Sequence, residues 1–451
     1  MGPVFLCYDE RMLLHQPLGW EAPATYPKTF VPNYVLENPG RLQAVYERLS
    51  LLPLRHPGCL RLCTHLEPAT REEIVRVHSE AHYDQLLASA TATRDRLLEL
   101  SGEDPDLYYS PFTFLAATLA CGGLLTSVRH ALSTGESAMA LVRPPGHHAC
   151  QTHAMGFCFF NSVVVAAKSV ERRVLILDWD IHHGNGTQDL VYDDPNILYV
   201  SLHRFSTGKG SQNEFFPYTG HPREVGVDGT NVNIAWTSRG RDNTAYAAAS
   251  SEVVWPVVQA FDPELVLVSC GLDAAKGDLL GDACVTPDGY AAMTRSLSAL
   301  VGDVPVVVAL EGGYNISVIS DCMEAIALAL IFPKGEPDEN VPVTTSTDDE
   351  SQEDRTAHSG VLDKPLDETE PVTKETRLQA ARAHLAPYWK YDPERCTGAG
   401  LSLSATRNLQ TVMQHLRPFY STFRPLVHRR KKSPRTNSTT DLSQALSSLQ
   451  L

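Results

Sequence analysis

The sequence predicts an α/β protein organised around a mostly parallel sheet with helices on its faces. Two observations carry that expectation. Over residues 1–332 short apolar runs rich in Val, Ile and Leu alternate with longer Ala- and Leu-rich segments, and several of the runs stop at a cluster of Asp, His or Glu. In open parallel sheets ligands bind beyond the carboxyl ends of the strands, so the second pattern also says where to look for chemistry. With 451 residues, 43% hydrophobic and 20% charged, the chain can bury a large core and is not wholly disordered.

In chain order the predicted strands are Val4–Tyr8, Met139–Val142, Val174–Leu177, Ile197–Leu202, Leu265–Ser269 and Val304–Leu310. Most are apolar at successive residues, as strands covered on both faces are. Between them Pro111–Leu132 and Asn243–Ala260 read as helices. From Lys334 to Thr376 thirteen acidic residues stand against four basic ones, a net −9 with little to bury, so the segment is expected to be a disordered acidic insertion. Arg377–Lys390 regains helical periodicity around Tyr388 and Trp389, which predicts a return to the body. Ser404–Leu416 places Leu409, Val412, Met413 and Leu416 on one face before Pro418 and predicts a second helix docked on its own domain. The expected organisation is one catalytic domain, 1–332 plus 377–391, interrupted by an acidic insertion at 333–376. A C-terminal extension follows at 392–451, with one or two short helices and a basic tail at Arg429-Arg430-Lys431-Lys432. That run fits nuclear import as well as it fits a merely solvated tail.

The net charge of −15 sits on residues 1–333, because twelve basic against three acidic residues after position 376 cancel the insertion. That is the wrong sign for a generic nucleic-acid binder and suits a body that attracts Lys-rich protein tails. Apolar stretches such as Val253–Ala260 are short and Pro-interrupted, so no membrane span is expected. Met1–Leu6 lacks the basic flank of a signal peptide, and Leu6 fails the myristoylation pattern. Ten cysteines without a paired C-x-x-C pattern read as reduced thiols of an intracellular protein, in nucleus and/or cytoplasm.

Four predicted strands end in residues that bind metals or move protons. Arg143-Pro144-Pro145-Gly146-His147-His148 follows the second, and Asp178-Trp179-Asp180-Ile181-His182-His183-Gly184-Asn185-Gly186 the third. Gly271-Leu272-Asp273 follows Leu265–Ser269, and Glu311-Gly312-Gly313-Tyr314-Asn315 closes the series. In an extended strand end Asp178, Asp180 and His182 share a side, so two of them are expected to grip one ion. Carboxylate oxygen with imidazole nitrogen suits Zn²⁺, and Asp273 is the natural third ligand of a catalytic site with an open position. Either aspartate alone reads as easily as a helix cap. A metal-activated water needs a base, and His147 and His148 offer two imidazoles whose outer N–H groups Asp178 and Asn185 are placed to accept. Tyr314, after two glycines, is a donor for a developing oxyanion. Metal, base and oxyanion donor together describe amide hydrolysis.

Arg143–His148, Gly156-Phe157-Cys158-Phe159-Phe160-Asn161, Asp178–Gln188, Ser201-Leu202-His203 and Leu310–Asn315 resemble the zinc-dependent histone deacetylase family, class II, with the closest likeness to the IIb tubulin-deacetylase type. The resemblance implies a three-layer arginase/deacetylase-like fold with a central sheet of about eight strands. It implies one catalytic Zn²⁺ on Asp180, His182 and Asp273, with His148 as general base and acid, His147 as its electrostatic partner and Tyr314 polarising the acyl carbonyl. Gly156, Phe157 and Phe216 correspond to the walls of a tunnel for the acyl-lysine stem, and Asp106 and Leu280 to substrate-binding positions near its mouth. Asp178, Ser201 and Leu202, with the carbonyls of Asp180 and His182, correspond to a structural K⁺ site. Asn185 stands where class I has an aspartate, which implies a changed basicity for His148. Tyr314 is the residue of the active members, and Leu280 replaces the glutamate gatekeeper of the polyamine-specific member. Leu107 stands where the tubulin-deacetylase type has a rim serine, and Lys276 is expected near the same mouth.

The expected substrates are therefore acetylated lysine-containing proteins, histones and tubulin among them, with no sequence-specific nucleic acid and no membrane. The C-terminal extension is a candidate site for corepressor or scaffold partners. An acetylpolyamine amidohydrolase and an acetyl-lysine-binding scaffold remain as alternatives. A binuclear ureohydrolase is disfavoured because Gly184 stands where a bridging aspartate would be needed.

Overall fold

In the computed structural model, residues 2–29, 35–206, 214–335, 372–389, 391–392, 397–398, 401–421 and 423 are described. Most of the acidic insertion, at 336–371, and the basic run Arg429–Lys432 lie outside the described residues.

Eight strands, β1 (Val4–Cys7), β2 (Leu60–Cys63), β3 (Ala138–Ala140), β4 (Val174–Asp178), β5 (Ile197–Arg204), β6 (Asn231–Trp236), β7 (Leu265–Cys270) and β8 (Val306–Leu310), pair in parallel in the order β2-β1-β3-β8-β7-β4-β5-β6. Every residue of β3, β4, β5, β7 and β8 is buried. Helices on the faces account for that, and for strands that read as unbroken apolar runs. The helices that frame the argument are α1 (Pro39–Ser50), α2 (Thr113–Thr134), α3 (Asn185–Val191), α4 (Asn243–Ala249), α5 (Trp255–Phe261), α6 (Pro287–Val301), α7 (Ile316–Ile331), α8 (Lys374–Leu385) and α9 (Leu403–Leu416).

Two strands escape the sequence reading. β2 is an edge strand whose Leu62 is half exposed, so Leu-Arg-Leu-Cys carries no run to recognise. β6 alternates Asn231 and Asn233 with Val232 and Ile234, yet all of them are buried because both amides bond Gln188 Oε1. The predicted helix Asn243–Ala260 is α4 and α5 joined by a π-helical turn at Ser250–Val254, and Pro256 takes a first-turn position of α5, where its missing N–H costs nothing. The expectation that no segment has the length to span a membrane needs correcting. Helix α2 has 22 residues and suffices by length and composition, but 72% of its apolar window is buried inside the fold.

Beyond the insertion, α8 starts at the N-cap Thr373 and buries Leu378, Ala381 and Leu385, with the Ala381 carbonyl accepting the Ser296 hydroxyl of α6 at 2.6 Å. Helix α9, capped by Ser402, buries Ala405, Leu409, Val412, Met413 and Leu416 and lies against β6, with Asn408 bonded to Thr237. The helix therefore covers the sheet edge, as a docked helix should.

Candidate active site

The four segments that the sequence singles out follow β3, β8, β7 and β4, and these are the four central neighbours of the sheet. Their loops meet over its carboxyl edge.

After β3, the His147 and His148 rings lie with centroids 4.0 Å apart and planes inclined at 48°, yet they face different partners. His147 Nδ1 lies 3.1 Å from Asp178 Oδ2, and its Nε2 lies 3.8 Å from Asp180 Oδ2. Burial opposes charge on this ring, but the two carboxylates outweigh it and push its pKa up to about 10, so His147 is an imidazolium. His148 Nδ1 lies 2.8 Å from Asn185 Oδ1. The Asn185 amide nitrogen points at Cys150 Sγ and Met155 Sδ, both at 3.5 Å, so its oxygen faces the ring and Nδ1 is the protonated nitrogen. Burial, then the charges of His147 and His182, drive the His148 pKa well below its ordinary value. His147 is charged because two carboxylates face it, whereas burial and its charged neighbours hold His148 neutral.

Past β4, Asp180 and His182 turn toward Asp273 from the β7 loop. His182 Nδ1 is 2.8 Å from Asp273 Oδ2 and 3.3 Å from Asp180 Oδ1, and one donor atom of each of the three residues lies within 4.8 Å of the others. Burial and the neighbouring Asp180 raise Asp273 to about 7, while His182, opposed by burial but facing both carboxylates, is pushed up to about 10. Two buried carboxylates and an imidazole aimed at one point fit a divalent cation, and the donor set fits zinc. Space is reserved for it by glycine: a Cβ on Gly271 would come within 1.8 Å of Asp180 Oδ2, and one on Gly312 within 2.7 Å of Asp273 Oδ2. Asp178 departs from the expected grouping. It ends β4, whereas Asp180 lies beyond the strand, so strand alternation no longer holds between them. Its Oδ2 instead accepts from Tyr199 at 2.9 Å and faces His147.

Tyr314 is buried, and burial, then Asp273 and Asp180, raise its pKa well above the ordinary value, so its hydroxyl remains a donor. The Phe157 ring lies 5.7 Å from that of Tyr314, and the Phe216 ring 5.0 Å from His148 and 6.4 Å from His182, so the two half-buried phenylalanines flank the floor. Gly156, at φ +53°, passes so close that a Cβ would lie 2.7 Å from the His148 ring. The Asp106 carbonyl accepts the Phe157 N–H at 3.2 Å, which ties the mouth to the wall. Leu280 is half-buried in the turn closed by Asp278 Oδ1, and Lys276 is exposed. The rim expectation for Leu107 is not met: only 7% of it is exposed, and it lines a separate 220 Å³ cavity with His82, Leu100 and Tyr109.

Ser201 of β5 pairs in register with Asp178, and its hydroxyl bonds His203 Nδ1 at 2.8 Å; Leu202 follows, buried. Among the described residues no backbone N–H is donated to the carbonyls of Asp180 and His182, which leaves both oxygens available to a cation beside them.

Sequence reasoning missed the support beneath the floor. Glu37, fully buried, bonds Arg143 through both carboxylate oxygens at 2.7 and 3.0 Å and Arg41 at 3.1 Å. Arg41 in turn donates to the carbonyls of Glu311 and Gly313, each at 2.6 Å, and clamps the turn that carries Tyr314. Phe215 stacks on His182 at 4.7 Å. Nothing in spacing links Glu37 or Arg41 to loops a hundred residues away, although a charged Arg143 directly after an apolar run was a visible signal.

Residues 35–330 match the family model described as the histone deacetylase domain. The chain is 38% identical over 358 residues to "Histone deacetylase HDA1" of Candida albicans, covering 74% of this chain and 41% of that protein. It is 40% identical over 349 residues to "Histone deacetylase clr3" of Schizosaccharomyces pombe (73% and 48%), and 38% identical over 348 residues to "Histone deacetylase 15" of Arabidopsis thaliana (75% and 58%). The chain thus spans about half the length of these curated relatives. The crystal structure titled "HDA15 HD domain" superimposes with a TM-score of 0.67 at 29% identity, covering 93% of this chain and 96% of that one.

Proposed function

The chain belongs to the histone deacetylase family, class II, and from that premise we propose that it removes acetyl or related acyl groups from lysine side chains of histones and other proteins. The observation that carries the reading is the convergence, in one floor, of a charged and a neutral histidine, a three-donor cation cluster and a neutral tyrosine hydroxyl.

When bound by Asp180, His182 and Asp273, Zn²⁺ supplies Lewis acidity toward the acyl carbonyl and toward water. The aliphatic lysine stem lies between Phe157 and Phe216, whose rings exclude solvent from the floor. His148 Nε2, unprotonated because Nδ1–H is committed to Asn185, takes the proton of the attacking water. His147, held as imidazolium by Asp178, keeps His148 neutral beforehand and adds positive charge beside the developing oxyanion. Tyr314 donates its O–H to that oxygen. As the carbon–nitrogen bond breaks, His148 returns the proton to the departing amine, which leaves acetate and free lysine. We further assign Asp178, Ser201 and Leu202, with the carbonyls of Asp180 and His182, to a structural K⁺, and expect the protein to act in nucleus or cytoplasm.

A panel of acetylated histone-tail and tubulin peptides, longer acyl-lysines and acetylpolyamine, assayed with the zinc-loaded protein, tests the reading. Release of acetate from the peptides is expected. Hydrolysis confined to acetylpolyamine, or binding of acetyl-lysine without turnover, would overturn it.

A further inference from the structure

One carboxylate of the floor is not used by the chemistry above. Glu311 directly follows β8 and is 1% exposed. Its Oε2 accepts the N–H groups of Gly146 and His147 at 2.7 and 3.2 Å, but its Oε1 is buried with no hydrogen-bond partner. Asp178 is matched by His147, and Asp180 and Asp273 by His182, whereas among the described residues no side-chain cation bonds Glu311, which for a buried carboxylate demands an explanation. Two further donors surround it: one atom each of Glu311, His147 and the Cys158 thiol lie within 4.8 Å of one another, all in fully buried residues. Because His147 Nδ1 faces Asp178, the nitrogen left to join this group is Nε2. Cys158 sits between its neighbours with Sγ 3.3 Å from the Gly156 carbonyl and is not otherwise engaged in the reaction.

We propose that Glu311, Cys158 and His147 form a second, inhibitory site for a soft divalent cation such as Zn²⁺ in excess or Cd²⁺, directly behind the catalytic floor. Sulfur, nitrogen and one oxygen are the donor mixture that zinc and cadmium take, whereas magnesium and calcium want oxygen alone. Binding forms bonds from the metal to Sγ, Nε2 and Oε1 and breaks the S–H and Nε2–H bonds, with both protons passing to solvent. Occupation draws His147 Nε2 away from the floor toward the buried Cys158–Glu311 side, so turnover stops while the first metal stays in place. Glu311 on this reading senses metal excess through Oε1, while its Oε2 positions the Gly146–His147 turn. The inhibition arm rests on the deacetylase reading, and the binding arm does not.

The test titrates Cd²⁺ into the full chain already loaded with one equivalent of Zn²⁺, following the ultraviolet thiolate-to-cadmium band, the metal content after desalting, and peptide deacetylation. The first site has no thiol and contributes no band. The wild type is expected to gain a band and lose activity together, and Cys158→Ser to lack that increment and remain active at the same Cd²⁺. Exposed thiols such as Cys284 contribute equally to both proteins, so the difference between them is the measurement. Glu311→Gln, which keeps the thiol, should weaken the Cd²⁺ response about 10–100-fold. Equal bands in wild type and Cys158→Ser, or an unshifted midpoint in a folded Glu311→Gln, would overturn the proposal. Were the protein to hydrolyse no acyl-lysine at all, the band and the metal count would still decide it.

Discussion

Replacing Asn185 by aspartate tests the hydrogen bond that orients His148 as the base. The amide oxygen sits 2.8 Å from His148 Nδ1, and the change is nearly isosteric but puts a full negative charge at that distance. An opposite charge this close favours the protonated ring by about 1–3 pKa units, or about 1.4–4 kcal/mol between protonation states. In the wild type the His148 pKa lies well below its ordinary value, so the ring is neutral through the physiological range. A base works only when unprotonated. Raising its pKa therefore removes active enzyme from the acid side upward, and the acid limb of the kcat/KM profile should move to higher pH by about 1–3 units. The profile is measured on wild type and Asn185→Asp with matched zinc content and one acetyl-lysine peptide. An acid limb that stays in place would refute the assignment of His148 as the base oriented by Asn185, and a shift toward acid would refute the sign of the argument.

Other changes separate the remaining roles. Tyr314→Phe should retain the metal and lower kcat by about 10²–10³, the usual loss for one oxyanion donor, as elemental analysis with steady-state kinetics will check. Asp180→Ala should lose both metal and activity, so a variant with full zinc content would break the ligand assignment. Glu37→Gln leaves the buried Arg143 and Arg41 short of their counter-charge and should reduce stability by about 3–5 kcal/mol in urea unfolding; a loss under about 1 kcal/mol would mean that the network is not what holds the Tyr314 turn.

The strands and the chemistry of their ends were legible because both are local. A parallel strand buried on both faces must be continuously apolar, so β4 and β7 announce themselves, and an Asp or His that interrupts such a run needs a reason to be there. What was not legible depends on the partner of a residue. Asn231 and Asn233 look like exposed strand positions until Gln188 is seen between them, and β2 is too short and too wet to stand out. The separation of Asp178 from Asp180 turns on where β4 stops, which strand periodicity does not report. The support from Glu37 and Arg41 and the stacking of Phe215 on His182 are tertiary in the same sense.

Strand order explains why those local signals sum to one site. The chain lays down β3, then β4 at a distance, and only later inserts β7 and β8 between them, so that loops separated by some hundred and seventy residues of sequence become neighbours. Such a crevice is a natural ligand site, but its loops could move independently. Here they are cross-linked from below. Glu37 just before α1 holds Arg143 after β3, Arg41 of α1 holds the carbonyls of the β8 loop, and Glu311 of that loop takes the N–H groups of Gly146 and His147. The bonds close a ring from β3 to β8 that does not pass through the metal ligands. It ties the loop of the base to the loop of the oxyanion donor without drawing on the metal ligands, and such cross-linking is what preorganises charges for a transition state.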